Sequence, residues 1–419
     1  MLKHFISNKL PAGHPLTYLF LAFITMAGLS YINFMPGLVN ALAGEIGFNE
    51  AEAGQIVALN GYGGLIGSTI AIFLVRRIQW QPAMLLFLVL LAAIDLSTVW
   101  VGELSATTLG VSNYTLMLGW RFLAGTFGGL SLGIGFAVLA RLNNPDRAFG
   151  TLLFIQFSIG SIVMYLLPEL EAQMNAYAVF YVMAAFVVLS LVFLPFLPAL
   201  SLKHSTSNQP ISGRTASVPC TSNVPGTSHN ALLLMLAIIT YQISASAIWA
   251  YVGLIGLGAN MSNDDVSMYI ATTGLLGLLG AMLPVISGNR YGRLYWIIAG
   301  VAMSVVSAIM LSVTHLTPLF YVIAMSLLFF SWPAIQSYLL AVTAEQDPSG
   351  KLSTVAAVVS SIGLASGPLI ASGLLNEESF SLMLYVCAAI FVLSFILLLK
   401  PVQAQEKDHS MRLPAQYPS

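Results

Sequence analysis

Twelve long apolar stretches, almost free of charge, run the length of this chain, and they rule out water as the solvent of most of its surface. A helix crossing a bilayer needs about 20 predominantly apolar residues. Stretches of that kind occupy, approximately, 16–42, 54–75, 82–101, 114–140, 148–168 and 176–197. After a gap come 231–257, 266–287, 294–314, 317–342, 353–375 and 380–400. They are called spans 1 to 12 below. Charged residues make up 7% of the chain, against about a quarter in an ordinary soluble protein. A backbone in hydrocarbon must satisfy its own hydrogen bonds, so spans of this length are helices. The expected fold class is therefore an all-α membrane protein of twelve transmembrane helices.

The N-terminus mimics a secretion signal, with Lys3 and Lys9 ahead of an apolar run and Ala41-Leu42-Ala43 resembling a cleavage site. The run from Leu16 to Leu42 far exceeds the 7–15 residues, roughly, of a signal core, so it reads as a retained first span.

Basic residues set the orientation. With the N-terminus cytoplasmic, Lys3, Lys9, Arg76, Arg77, Arg141, Arg147, Lys203, Arg214, Arg290, Arg293, Lys351, Lys400, Lys407 and Arg412 all fall inside. The external loops hold acidic residues instead, among them Glu45, Glu103, Glu171 and Asp264. That satisfies the positive-inside rule and supports an even number of spans, with both termini on the cytoplasmic face of the inner membrane. Residues 199–230 are rich in Ser, Thr, Pro and Asn and lack an apolar period, as a flexible linker does. The chain thus divides into an N-terminal bundle (1–198), a cytoplasmic linker (199–230), a C-terminal bundle (231–400) and a polar, disordered cytoplasmic tail (401–419).

The two halves echo each other. A shift of 203 positions carries Pro145, Thr151 and Ser158-Ile159-Gly160 onto Pro348, Thr354 and Ser361-Ile362-Gly363. A shift of 213 carries Gly64-Leu65-Ile66-Gly67 onto Gly277-Leu278-Leu279-Gly280, and Asn49-x-x-Glu52 onto Ser262-x-x-Asp265. The last pair has the form of a capping box, a polar N-cap followed by an acidic residue near the positive helix end. Two pseudo-symmetric six-helix bundles of like orientation follow.

Three local sequences carry a family resemblance. Gly288-Asn289-Arg290-Tyr291-Gly292-Arg293, between spans 8 and 9, looks like an Asp-Arg-x-Gly-Arg loop with Asn in the acidic slot. The matching loop of the first half, Arg76-Arg77-Ile78-Gln79, keeps the basic residues but has lost the acidic and glycine slots. Arg121-Phe122-Leu123-Ala124-Gly125 on span 4 is similar to an Arg-x-x-x-Gly motif. Together with the topology, the chain resembles the major facilitator superfamily. The resemblance implies two bundles rocking about a central site, proton coupling as a common energy source, and Arg76, Arg77, Asn289, Arg290, Gly292 and Arg293 as gating-loop residues. The antiporter signature on span 5 is missing: Gln156-Phe157-Ser158-Ile159-Gly160-Ser161 stands in its place. Span 11 offers only a looser Gly363-x-x-x-Gly367-Pro368.

Two ionisable residues fall deep in the spans, Asp95 on span 3 and Arg121 on span 4. At 1.5 Å per residue both lie roughly 10 Å below the external surface. A charge at that depth costs about 2.5–3.5 kcal/mol on insertion scales. Either the two form an ion pair that fixes packing, or Arg121 serves substrate binding or coupling. The resemblance also implies that spans 1, 4, 7 and 10 line the cavity, aided by 2, 5, 8 and 11. Substrate candidates there are Tyr31, Asn33, Gln156, Tyr241, Gln242, Trp249, Trp332, Gln336 and Tyr338. Amides facing lipid are costly, so the three glutamines stand out. Gly61-x-Gly63-Gly64-x-x-Gly67 and Gly125-x-x-Gly128-Gly129 permit close helix approach; neither ends in the Lys-Ser/Thr of a phosphate loop.

The expected function is secondary transport of a small organic solute, coupled to protons. Export of amphipathic or aromatic compounds is favoured, and uptake of an organic anion or nutrient is the alternative. A non-transporting sensor or scaffold on the same fold is a further reading. An enzyme would need a cluster of acid, base or nucleophile near one surface. The net charge of -1 gives no basic patch for nucleic acid. The six histidines fall in loops and tails without metal-ligand spacing. No cofactor or metal is expected; the partners are the solute, protons and lipid, and the chain is expected to act as a monomer.

Overall fold

A computed structural model of the protein describes residues 9–75, 77–101, 110–198, 225–287, 293–346, 351–375 and 380–412. Among these residues the chain is helical, and eleven helices are long and apolar enough to cross a bilayer, with a shorter apolar helix, Pro15–Ala27, opening span 1. Caps fix where the helices begin. At the start of span 2 (Glu50–Leu74), Glu52 N donates to Asn49 Oδ1 at 2.8 Å and Asn49 N donates to Glu52 Oε2 at 3.1 Å. At the start of span 8, Asp265 N donates to Ser262 Oγ at 3.1 Å. Each of the two pseudo-equivalent polar starts therefore satisfies an amide that a helix N-terminus leaves free, and only Asn49–Glu52 closes the reciprocal box. Ser112 caps span 4 (Asn113–Leu139), and Asn144 caps span 5 (Pro145–Gln173) with Pro145 in its first turn.

Span 1 is not one helix. It runs as Pro15–Ala27, Ser30–Asn33 and Met35–Ala43, with breaks around Gly28-Leu29 and at Phe34. Proline explains the second break: Pro36 has no N–H to give the Ile32 carbonyl four residues earlier. Span 8 is interrupted at Leu275, between Asn263–Gly274 and Leu276–Ser287. Elsewhere the helices overrun the apolar limits. Span 5 has 29 residues, about 43 Å of helix against a hydrocarbon core of about 30 Å. Span 7 begins at Pro225, inside the stretch expected to be linker, and span 12 continues through Pro401 to Arg412, inside the stretch expected to be disordered tail. Residues 199–224 and 413–419 lie outside the described ones.

Within the N-terminal bundle, spans 2 and 4 meet most extensively. Glycine makes that approach possible. A methyl group at Gly63 or Gly67 would overlap carbonyl oxygens of Phe122 or Thr126, and one at Gly125 or Gly129 would overlap those of Asn60 or Gly64. The repeat reappears in the other half, where a methyl at Gly280 of span 8 would overlap the Phe330 carbonyl of span 10. Close backbone approach is how helices associate in lipid, where no hydrophobic force separates helix from solvent. Large apolar side chains such as Phe73 and Leu319, about two-thirds exposed, cover the outside of the bundle. In a bilayer that surface faces acyl chains. The protein is a multi-pass membrane protein built on two six-helix bundles.

The two faces of the molecule are distinguishable. On the terminal face, Leu10 N donates to Phe196 O at 2.9 Å, joining the start of span 1 to the end of span 6. On the opposite, far face, the end of span 5 approaches the start of span 8, where Asn263 Nδ2 donates to Glu171 Oε2 at 3.2 Å. Among the described residues, four hydrogen bonds cross between the bundles, and all lie between mid-span and the far face. Besides Asn263 to Glu171, they join Tyr62 and Ser366 hydroxyls at 2.7 Å, Trp249 Nε1 to Ile32 O at 2.8 Å and Tyr251 OH to Glu50 O at 3.0 Å.

Candidate functional site

The N-terminal bundle buries the charge. Arg121 Nη1 donates to Asp95 Oδ1 at 2.6 Å, and the two side chains are 1% and 0% exposed. This is the one ion pair among the described residues. The guanidinium also lies over the Phe180 ring of span 6, 5.1 Å from its centroid. Arg121 does not open on the space between the bundles. Instead it borders a small cavity inside its own bundle, with Ser30 and Tyr31 of span 1 and Asn60 of span 2.

The C-terminal bundle presents uncharged polarity. Trp332 Nε1 on span 10 donates to Gln242 Oε1 on span 7 at 2.6 Å, and Gln242 Nε2 donates to Ser360 Oγ on span 11 at 2.7 Å. Both ends of one amide are therefore fixed, which sets which end is acceptor and which is donor. Gln242, Gln336, Ser360 and Tyr241 line one cavity with Ile238 and Leu339. Gln336 and Gln156 are half-buried. The Tyr241 ring borders that cavity, but its hydroxyl pairs with Ser304 of span 9 at 2.9 Å, and Ser304 with Ser331 at 2.9 Å. Tyr241 thus ties three helices together rather than offering its hydroxyl to a solute. Tyr338 is 2% exposed. Asn33 is buried with its Nδ2 unpartnered.

Trp249 belongs to the seal between the bundles. Its indole lies edge-on to Phe329, at 5.1 Å and 77°, and its N–H takes the carbonyl that Pro36 leaves free. An indole N–H in an apolar setting needs such a partner. Replacing Trp249 by Phe should therefore weaken the seal and strand the Ile32 carbonyl, costing about 1–3 kcal/mol. Adding Pro36→Ala supplies an N–H inside span 1 and should recover thermal stability without recovering the seal. Melting curves of the single and double variants check this; additive destabilisation would refute the proposed exchange of donors.

Among the gating-loop candidates, Arg77 is exposed at the end of span 2, its N–H donating to Leu74 O at 2.9 Å. Arg293 begins span 9. Arg76, Asn289, Arg290 and Gly292 lie outside the described residues. Sequence reading missed Ser360 and Asn60. A serine mid-span carries no distinguishing signal, since most bond their own helix carbonyls. Asn60 could have been found by the argument that singled out the glutamines, because a mid-span amide facing lipid is costly.

Comparison with known proteins places this geometry. The profile of the Major Facilitator Superfamily matches residues 18–360. No curated protein matches the chain in sequence. Among solved structures, a D-xylose–proton symporter superposes with a TM-score of 0.68 at 15% identity, over 92% of this chain and 98% of that one. A mutant of the nucleoside transporter NupG gives 0.69 at 11% identity, over 92% and 99%. The xylose transporter XylE from E. coli, in an inward-open conformation, gives 0.68 at 14% identity, over 92% and 95%. At such identities the likeness speaks for the fold. With the profile spanning most of the chain and the two-bundle architecture matching throughout, the chain belongs to the Major Facilitator Superfamily.

Proposed function

We propose that the protein is a proton-coupled secondary transporter of an uncharged, amphipathic or aromatic small organic solute, exported by alternating access. One observation carries the substrate class. The charge inside the spans is neutralised within the Asp95–Arg121 pair, whereas the cavity of the C-terminal bundle is bordered by fixed amides, hydroxyls and apolar side chains. Such a lining hydrogen-bonds a few polar atoms and accommodates a flat or apolar body. An organic anion would need a cation free to meet it, and Arg121 already has Asp95. The sugar and nucleoside transporters of like fold also carry uncharged solutes, which supports the same choice. A proton–sugar symporter among them supports proton coupling. The distribution of Lys and Arg supports a cytoplasmic terminal face, and both bundles lie in one chain, as a working monomer requires.

Purified protein in liposomes with an imposed pH gradient tests this reading. Flux of uncharged aromatic solutes should follow the gradient and that of organic anions should not. Gln242→Ala strands the Trp332 N–H and removes one arm of the site. It should lower flux about tenfold or more, the equivalent of about 1.4 kcal/mol. Gradient-driven flux of anions alone would overturn the proposal.

A further inference from the structure

The cavity beside Arg121 contains an unmet hydrogen-bonding demand. Arg121 uses Nη1 on Asp95, and its Nε and Nη2 have no partner. Asn60 Oδ1, on the opposite helix, has none either. Both residues are 1% exposed, and both line the cavity. Buried polar atoms left like this are destabilising, and they are the usual lodging of an ordered oxygen. The break in span 1 adjoins the same place, since Gly28, Ser30 and Tyr31 form part of the wall. Gly125 and Gly128 complete it, with Leu91 and Met183 closing the sides.

The donor set defines the ligand. Arg121 offers hydrogens on Nε and Nη2, and Asn60 Oδ1 offers an acceptor. An oxygen that accepts from the first and donates to the second fits both. A carboxylate would set an oxygen against Asn60 Oδ1, and an ammonium, though it could donate to Asn60 Oδ1, would set its remaining hydrogens and its charge against the Arg121 guanidinium. The Asp95–Arg121 pair is neutral as a whole, so nothing here attracts net charge. The space between the walls is about that of one oxygen, so of an alcohol only the terminal hydroxyl would enter.

We propose that this cavity is a binding site for a single neutral hydroxyl oxygen, held between Arg121 and Asn60 and supplied either by water or by a terminal alcohol of a solute. The water source stands independently of the transport reading; the alcohol source rests on it. The site gives Arg121 a role beyond its ion pair, because whatever enters spans 1, 2 and 4 together.

The test is a structure of the full-length protein in lipid nanodiscs, at a resolution that shows buried waters, with and without glycerol as the alcohol probe. Density bridging Arg121 and Asn60 in both samples supports water. Density that continues from that oxygen into a carbon at the cavity mouth, seen with glycerol alone, supports the alcohol. A dry cavity, with waters visible elsewhere in the protein, overturns the proposal. Asn60→Leu should remove the density and lower the melting temperature by several degrees. Asn60→Leu protein that melts at or above the parent would also overturn it. None of these readouts depends on a solute being moved, so failure of the transport assay and failure of this site are separable.

Discussion

Arg121→Ala protein should be lost from the membrane and should not transport, and the double variant Arg121→Met with Asp95→Leu should return abundance without returning transport. The pair is fully buried with one close contact of 2.6 Å. Removing one partner leaves the other as an uncompensated buried charge, at a cost of about 3–5 kcal/mol. That is a large part of the total stability, about 5–15 kcal/mol, of an ordinary domain. Removing both charges and filling the space with apolar side chains is often neutral, so Arg121→Met with Asp95→Leu should fold. Asp95→Asn should lie between, since an amide oxygen can still accept from Nη1 while the guanidinium loses its counter-charge. Membrane abundance by blotting and flux in liposomes separate the effects. The double variant decides between the two roles weighed from the sequence. Normal flux would make the pair a packing device and nothing more; absent flux from well-folded protein would assign Arg121 to binding or coupling.

Much of this architecture is legible in the sequence. Twelve apolar runs, the basic residues on alternate loops and the shifted repeats all rest on local chemistry that hydrocarbon enforces residue by residue. The caps at Asn49 and Ser262 could be read because an N-cap needs only three residues of context, although only Asn49 forms the full capping box. The glycine stripes could be read because the reason for them is steric and short-range. Equal depth on consecutive antiparallel spans made an Asp95–Arg121 pair one of two open readings, and the structure shows the contact. What could not be read depends on which helix faces which. Pro36 is visible in the sequence, but prolines also stand inside spans 5, 10 and 11, which run on unbroken. Span 1 breaks near Pro36 in a place where Trp249, 213 residues later, takes the freed carbonyl. Likewise, nothing local told Gln242, clasped by Trp332 and Ser360, from Gln156, which is half-buried on span 5. Tyr241 looked like a cavity hydroxyl because its rotation about span 7 was unknown; its oxygen points to Ser304 instead.

A wedge at the far face should stop transport while leaving each bundle intact. The atoms nearest a methyl at Gly54 of span 2 belong to the other bundle: it would overlap the Tyr251 hydroxyl and stand 3.0 Å from the Pro368 carbonyl oxygen. Gly253 of span 7 is its counterpart, where a methyl would overlap the Asn40 amide across the interface. Leucine at either position meets atoms that belong to the opposite bundle, so the strain falls on the closed arrangement and is relieved when the bundles part. A penalty of about 3 kcal/mol shifts such an equilibrium by more than a hundredfold. Gly54→Leu and Gly253→Leu are thus expected at near-normal abundance and melting temperature, with flux lowered at least about 100-fold. Ala365 reports the opening, because it is 3% exposed and packs against Gly61 across the seal. In a Cys220→Ser background, with native Cys387 buried, Ala365→Cys should resist a membrane-impermeant maleimide added from the far side. Adding either leucine should raise its labelling rate at least about tenfold, as expected of a shift in population between two packed states rather than a local loosening. Unchanged labelling together with unchanged flux would mean that this interface is not the seal, and that the hydrogen bonds from Trp249 and Tyr251 do not hold the bundles closed.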